Sequence, residues 1–336
     1  MMSNNRIIVL IDSVGAVEYH RLAMPFDYLK ERMNVTFAVQ EKEINAVDFS
    51  EFDICVISRY LVNMDKLREA KAKGLKIIVD IDDYWNVPKY NPAYKIYNEK
   101  GKKSIIECLK LADMVWTTTF QLAEKVAELN PSVHILPNYI DTTSPQWNAK
   151  AEHPLTIGYV GGFSHLEDLK LLRGQMETIC LKHNARFLLC GYKHLDPMYL
   201  QMEQAIHEKK DRPDWFYVSE ITNFIQYGKY YAHMDIVIAP LTKTNFNRHK
   251  SELKILEAAA YKLPIAVSEV EPYTNHANNE GVTFVKNNDW VTAIGQMIES
   301  KKLKEQGQNN FEYCQVHHNI DTINNKRMQL LNLISE

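Results

Sequence analysis

Basic residues cluster ahead of a glutamate in the stretch 247–260. If this stretch is helical, at about 100° per residue, Lys250, Lys254 and Glu257 fall on one narrow stripe, while apolar side chains cover the other directions. Positive charge at a helix N-terminus, where Arg248 also lies, opposes the helix dipole unless an anion is bound there. The stretch therefore indicates a diphosphate site, or alternatively an ordinary ion pair between Lys254 and Glu257 on a solvated edge.

Two glycines, Gly161 and Gly162, directly follow an apolar run and precede a helical pattern that begins near Leu166. Backbone N–H groups at such a turn can approach a phosphate at a helix N-terminus. A glycine pair after a strand is more often only a tight turn. Neither half of the chain contains the G-x-G-x-x-G fingerprint, so a nicotinamide-dependent dehydrogenase loses its main support.

Three carboxylates, Asp80, Asp82 and Asp83, stand at the end of another apolar run. Crowded carboxylates at the carboxyl end of a strand can have raised pKa values and act as a base toward an acceptor hydroxyl. They could equally bind a divalent cation, or cap the neighbouring loop. The residues alone leave these three roles open.

The elements that must position these residues follow one repeating order, strand then helix. Predicted strands lie at 7–11, 35–39, 53–58, 75–81, 114–118, 133–136, 156–160, 186–190, 216–218, 236–239, 265–267 and 282–285. Predicted helices lie at 19–30, 64–73, 96–111, 120–129 and 322–333. This alternation is typical of parallel βαβ units. A polar, turn-rich stretch after Leu136 separates two such series, so we predict an α/β protein with two Rossmann-like domains in tandem.

We place the domains at 1–148 and 149–315, with 316–336 as a C-terminal helix. Ligands of parallel sheets bind outside the carboxyl ends of the strands, which puts the main site in the cleft between two facing domains.

Length and charge narrow the class of protein. The chain has 336 residues, of which 46% are hydrophobic and 24% charged, an ordinary globular composition for about two domains. Its formal net charge of -3 offers no general attraction for nucleic acid, which we exclude as a partner. The apolar run at 7–11 is too short for a signal sequence or a membrane span, so we expect a cytoplasmic protein.

Several of these segments together resemble the GT-B glycosyltransferases, specifically the family often called GT4. The sequence ADMVWTTT at 112–119, followed by VHILPNYID at 133–141, is similar to the family's pattern near the end of the N-terminal domain. IGYVGGFSHLEDL at 157–169 resembles the opening of the donor domain. KILEAAAYKLPIAVS at 254–268 is the most specific match. The fold implied is two Rossmann-like domains facing across a cleft, with the C-terminal helix crossing back to the N-terminal domain.

The resemblance also implies roles for individual residues. Glu257 corresponds to the second glutamate of the family's E-x7-E motif and is expected to bond ribose hydroxyls, whereas the first glutamate is replaced by His249. Arg21, in the first loop, is expected to clamp a phosphate. The residues expected to act in catalysis are Arg248, Lys254 and Asp82. Those expected to bind the donor are Gly15, Arg21, Gly161, Gly162, His165, His249, Lys250, Ser251 and Glu257.

The function implied is transfer of a sugar from a nucleotide-sugar donor to a hydroxyl of a glycan or lipid-linked acceptor, as in polysaccharide biosynthesis. No metal or other cofactor is expected, because the cationic residues would stabilise the leaving diphosphate. Retention of anomeric configuration is expected, with inversion open through Asp82. The alternatives are a nucleotide-sugar 2-epimerase on the same fold, or a non-catalytic nucleotide-sugar-binding protein. Basic and aromatic residues alternate at 89–103, which suggests contact with anionic lipid at the inner face of the cell membrane or with a saccharide acceptor.

Overall fold

The computed structural model describes residues 5–11, 15–59, 64–95, 97–140, 145–148, 151–223 and 226–335. Two parallel sheets of six strands each run through these residues. The first contains β1 Arg6–Ile11, β2 Asn34–Val39, β3 Ile54–Ser58, β4 Lys76–Ile81, β5 Met114–Thr117 and β6 Val133–Ile135. The second contains β7 Thr156–Val160, β8 Arg186–Tyr192, β9 Phe216–Glu220, β10 Ile236–Ala239, β11 Ile265–Ser268 and β12 Val282–Val285.

Helices connect the strands and cover both faces of each sheet. In the N-terminal half they are α1 Ala16–Glu18, α2 Met24–Leu29, α3 Gln40–Ala46, α4 Met64–Ala72, α5 Glu99–Leu111 and α6 Phe120–Ala127, with a π-helical turn at Tyr19–Ala23 joining the first two. In the C-terminal half they are α7 Leu166–Leu169, α8 Gln175–His183, α9 Pro197–His207, α10 Leu253–Ala260, α11 Trp290–Glu299, α12 Leu303–His317 and α13 Ile320–Leu333.

The strand order in each sheet reverses once. The first sheet runs β2-β1-β3-β4-β5-β6, and the second runs β12-β11-β10-β7-β8-β9. The reversals fall between β1 and β3 and between β7 and β10, and the crevice at such a point is where parallel α/β sheets bind ligands. The predicted α/β class with two Rossmann-like sheets is confirmed.

The central strands form because their sequences are continuously apolar. Alternate residues of β1 enter two different core layers: Ile8 and Leu10 pack under α4 and α5, while Ile7 and Val9 pack under α2 and α13. A strand buried on both faces needs apolar side chains at every position, which explains why these runs do not alternate with polar residues.

The predicted ends of some elements differ from the structure. Strands β8 and β9 continue past 190 and 218 to Tyr192 and Glu220. Helix α5 begins at Glu99 rather than 96, because the Asn98 side chain accepts from the backbone N–H of Lys100 and caps the helix. Residues 96, 149 and 336, on which predicted bounds fall, lie outside the described residues, and the domain limits stay a prediction.

Helix α13 packs on the N-terminal sheet although it follows the second sheet in the chain. Its Leu330 and Leu331 share a core layer with Trp116 of β5. The Tyr28 hydroxyl donates to Asp321 at 2.6 Å, and α13 starts beside a parallel bridge between Ile140 and Asn319. The chain therefore passes between the two sheets twice, close to Ile140.

Candidate active site

The carboxyl edges of the two sheets face each other, and loops from both edges are in contact. Asp83, which follows β4, lies 3.4 Å from the Lys250 Nζ that precedes α10. The Asn91 amide donates to the Ser164 carbonyl at 3.1 Å. Both contacts join one half of the chain to the other, so the cleft is lined by residues of both.

Helix α10 carries Lys254 and Glu257 to this cleft, but the predicted single helix over 247–260 is wrong, because the helix begins at Leu253 and Lys250 has an extended backbone before it. Its alanines and leucines are strong helix formers, and residues Ile255 to Ala260 are buried. Lys254 donates from Nζ to the Val160 carbonyl at the end of β7, and its Nζ lies 5.2 Å from the centroid of the Tyr159 ring. Burial lowers the pKa of Lys254 below its ordinary value, although the Glu257 carboxylate opposes this shift.

Glu257 lies one helical turn deeper and is 6% exposed. Its Oε2 accepts from the hydroxyl of Tyr231 at 2.5 Å, and its Oε1 lies 3.8 Å from Nε2 of His20. His20 belongs to the π-helical turn of the N-terminal half. The glutamate is thus held between both halves of the chain at the floor of the cleft.

The two adjacent aspartates after β4 have different partners. Asp82 accepts from Arg59 Nη2 at 3.0 Å, whereas Asp83 pairs with Lys250. Burial raises the pKa of Asp82 above its ordinary value despite Arg59. Burial alone would also raise the pKa of Asp83, but Lys250 and Arg59 together lower it. Asp83, not Asp82, is the carboxylate that contacts the opposite wall.

A histidine–aspartate pair lies at the first loop of the second sheet. His165 Nδ1 is 2.8 Å from Asp168 Oδ2, and the other carboxylate oxygen accepts from the backbone N–H of Thr242 and the amide of Asn247. Burial lowers the pKa of His165, which favours the neutral imidazole. Asp168 therefore joins the loops after β7 and β10 and holds the His165 ring in a fixed position.

The chain is similar to known proteins, in sequence over part of its length and in fold over almost all of it. Residues 154–300 match the family described as glycosyl transferases group 1. Sucrose-phosphate synthase from Thermosynechococcus elongatus is similar in structure, with a TM-score of 0.71, 12% identity and coverage of 98% of this chain and 99% of that one. The chain has the GT-B fold.

Two further GT-B structures support this assignment. Anabaena HepE, in complex with UDP and glucose, has a TM-score of 0.67 at 12% identity over 98% of this chain and 99% of that one. A UDP-forming trehalose-phosphate synthase from Burkholderia xenovorans has a TM-score of 0.66 at 11% identity over 99% and 100%. No curated protein sequence matches the chain. The resemblance to GT-B glycosyltransferases is confirmed, and membership of GT4 stays a prediction.

The predicted site residues that precede α10 do not all face the cleft. Arg248 is 54% exposed and donates from Nε to Glu271 in the loop after β11. His249 is buried, with Nδ1 2.6 Å from the Asn245 carbonyl and its ring 4.6 Å from that of Tyr84. Ser251 is half-buried between Lys250 and the start of the helix. Burial lowers the pKa of His249, which favours a neutral ring, and its predicted correspondence to the first motif glutamate stays a prediction.

The glycines predicted to approach the donor have unequal surroundings. A Cβ added at Gly161 would lie 2.5 Å from the Tyr159 hydroxyl, whereas one at Gly162 would meet nothing within 4 Å. Gly162 precedes the short 3-10 turn Phe163–His165. Gly15 is half-buried, and its carbonyl accepts from the backbone N–H of Tyr19. Of the two glycines after β7, close packing requires Gly161 and not Gly162.

Arg21 is placed differently from the expectation that it clamps a phosphate. Its side chain is 2% exposed, and Nε and Nη2 donate to the two carboxylate oxygens of Asp80 at 2.9 and 2.8 Å. Nη1 donates to the Leu136 carbonyl at 2.8 Å. A phosphate contact would require these bonds to break, so in this structure Arg21 joins β4 to the loop after β6.

Sequence reasoning named Asp83 among three candidate carboxylates but chose Asp82, and it did not select Arg59, Asp168 or Tyr231. Asp168 lay within the donor-domain motif and could have been found there. Arg59 and Tyr231 have no sequence signal, because each meets its partner across a long separation in the chain. Within the described ranges, no group of three or more His, Cys, Asp or Glu side chains could hold a metal ion, and metal independence stays a prediction.

The stretch 89–103 is only partly a free surface. Asn91 is buried at the contact with Ser164, whereas Tyr90 is 57% exposed. Ile96 lies outside the described residues. No helix in the described part of the chain combines the length and apolarity needed to cross a bilayer.

Proposed function

We propose that this protein transfers a sugar from a nucleotide-sugar donor to a hydroxyl of a glycan or lipid-linked acceptor. The observation that carries the proposal is that Lys254 and Glu257 on α10, together with Lys250 in the loop just before it, lie at the cleft between the two parallel sheets. The group 1 match over residues 154–300 supports a nucleotide-sugar donor. Because HepE is described with UDP-glucose, UDP-sugars are the first donors to test.

The positive charges of Lys250 and Lys254 suit a departing diphosphate. Lys254 is tied to the end of β7 beside Gly161, so its ammonium is already oriented at the loop where a phosphate would lie. A preorganised cation in a water-poor site stabilises developing negative charge without reorganising during the reaction. We assign Lys254 and Arg248 to the leaving group, in place of a metal ion. For Arg248 this requires exchange of its Glu271 partner for phosphate.

Glu257 is suited to bind the ribose hydroxyls of the nucleotide. A carboxylate accepts from both hydroxyls of a diol, and the Tyr231 bond to Oε2 fixes its orientation. The nearby His20 comes from the N-terminal half, so binding at Glu257 is sensitive to closure of the cleft. Closure would exclude water and limit hydrolysis of the donor. Retention is proposed, with the acceptor proton leaving to the departing phosphate.

The test is a thermal-shift and turnover screen of the full chain with UDP, GDP, dTDP, CMP and their sugar conjugates, with and without magnesium. A nucleotide present at about 100 times its Kd stabilises the folded state by about 2.7 kcal/mol. Stabilisation by one nucleoside diphosphate, with slow release of sugar from its conjugate, supports the proposal. Sugar epimerised at carbon 2 would identify an epimerase, and binding without any turnover a binding protein. Silence from every nucleotide would refute all three.

A further inference from the structure

A cavity of about 270 Å³ lies between the two halves of the chain, beside Lys250. Its walls are aromatic and come from both halves. The aromatic residues that line it are Tyr84, Trp85, Tyr97, Phe163 and Phe246. The volume is just below the range of roughly 300–1,000 Å³ typical of pockets for drug-sized ligands, so the cavity suits a single ring rather than an extended chain.

Charged side chains border the same cavity. Asp83, Arg59 and Lys250 all line it. Arg59 donates to the Tyr97 hydroxyl at 2.5 Å and to Asp82, which keeps the guanidinium fixed. Because its pKa is lowered, Asp83 is ionised near neutral pH and acts only as a hydrogen-bond acceptor. A hydroxyl group of a ligand could donate a hydrogen bond to this carboxylate.

Aromatic walls with charged groups fit one class of ligand best. A pyranose ring has apolar C–H faces, which pack on aromatic rings, and an equatorial rim of hydroxyls, which bond to charged groups. An acyl chain would exclude water from Asp83, Arg59 and Lys250 without offering them a hydrogen bond, at a cost in desolvation. An acyclic polyol has no flat face for the aromatic rings.

We propose that this cavity binds the terminal pyranose ring of the acceptor, with the Asp83 carboxylate accepting from one ring hydroxyl. The inference rests on the proposed function, because the ring belongs to the acceptor and would lie next to Lys250 of the donor half. It adds Asp83 and the aromatic residues as determinants of acceptor choice. It also makes the acceptor site dependent on closure, because Phe163, Phe246 and Lys250 belong to the donor half.

The experiment is saturation-transfer NMR on the full chain in the presence of UDP. The probes are the methyl pyranosides of glucose, galactose, mannose and N-acetylglucosamine, with sorbitol as the acyclic polyol. We expect saturation of at least one pyranoside, strongest at the protons of one ring face, and none of sorbitol. Absence of signal from all four pyranosides, or equal signal from sorbitol, overturns the proposal.

Two variants locate the signal. Ala93 lines the cavity, and Ala93→Trp should fill it and abolish the pyranoside signal. Ala72→Trp is the matched control, because Ala72 is exposed at the end of α4, before the amino end of β4, and should keep the signal. Asp83→Asn should weaken pyranoside binding about tenfold without weakening UDP binding. A pyranoside signal that survives Ala93→Trp places the ligand elsewhere and overturns the proposal.

UDP binding is measured on the same samples, which separates the two failures. Pyranoside binding without binding of UDP or of any other nucleotide in the screen would contradict the proposed function while leaving the cavity assignment intact. UDP binding without pyranoside binding would contradict the cavity assignment alone.

Discussion

The two walls of the cleft hold their positive charges in different ways. On the N-terminal wall, Arg21 and Arg59 are each bonded to an aspartate of the same wall, with side chains only 2% and 16% exposed. On the C-terminal wall, Lys254 donates to a backbone carbonyl and forms no ion pair among the described residues, and Lys250 pairs with Asp83 of the opposite wall. The internally paired wall suits a neutral acceptor, and the wall whose Lys250 and Lys254 have no described ion pair within it suits an anionic donor.

The two walls also differ in whether their charged residues hold the fold together or can bind a ligand. A buried bidentate pair such as Arg21–Asp80 fixes the geometry of the strands and loops that it joins, but it has little capacity left for a ligand. Lys254 and Glu257 reach the cleft from one helix, which sets their spacing, whereas Lys250 lies in the loop before that helix. Four predictions test this difference.

The largest effect is expected from Asp80→Asn on the N-terminal wall. It leaves the Arg21 guanidinium buried without a charged partner, which should lower the free energy of unfolding by about 3–5 kcal/mol. Chemical denaturation measures the change. The control is Asp53→Asn, which breaks the exposed Arg6–Asp53 pair and should cost far less, because solvent screens an exposed pair. Equal losses in the two variants would mean that Arg21 is not a structural residue.

On the C-terminal wall, Lys254→Met should act on turnover instead. Loss of one preorganised cation at the leaving group is expected to lower kcat by about 10²–10³ with a smaller change in stability. Sugar release from the donor is the measurement. Lys110→Met, at an exposed position of α5, is the control and should be neutral. A variant that loses only UDP affinity, with normal kcat, would remove Lys254 from the leaving-group role.

Glu257→Gln tests the ribose assignment within the same wall. Weaker acceptance from the ribose hydroxyls should reduce UDP affinity about tenfold, as measured by calorimetry. Inorganic pyrophosphate, which lacks ribose, should bind both proteins equally. If pyrophosphate binding falls as much as UDP binding, Glu257 acts on the phosphates or on the fold.

The smallest effect is expected from pH. Burial lowers the pKa of Lys254 below the ordinary lysine value of about 10.4, so UDP affinity should fall a few-fold as the pH rises through the lowered value. Lys254→Arg should keep its affinity over the same interval, since arginine stays charged. For stability the sign is opposite: the unfolded chain holds this proton more tightly, so the folded state gains stability as the pH rises through the same window. Parallel pH curves for both proteins would contradict the lysine assignment.

Much of the fold could be predicted because its signals are local. The apolar runs of β1, β3 and β4 are buried on both faces and are visible as uninterrupted hydrophobic sequence. Helix starts were less predictable, since the start of α5 depends on the Asn98 cap rather than on hydrophobic spacing.

The site residues also differ in how far the sequence could predict them. The relation between Lys254 and Glu257 was predictable, because one helix sets the directions of both side chains, whereas the place of Lys250 depends on the loop before that helix. The choice between Asp82 and Asp83 was not, because their partners are 23 and 167 residues away. Neighbouring residues in a loop have no fixed relation of direction, so only the folded chain decides which one meets the cleft.

The sequence by itself determined the alternation of strands and helices, the apolar core and the spacing of charges on α10, because each depends on residues close together in the chain. Only the tertiary structure decided that Arg21 is used internally, that Asp83 contacts Lys250, and that aromatic rings from both halves enclose a cavity. Those outcomes depend on how two sheets are placed against each other, which arises from the summed packing of many residues and from no single motif.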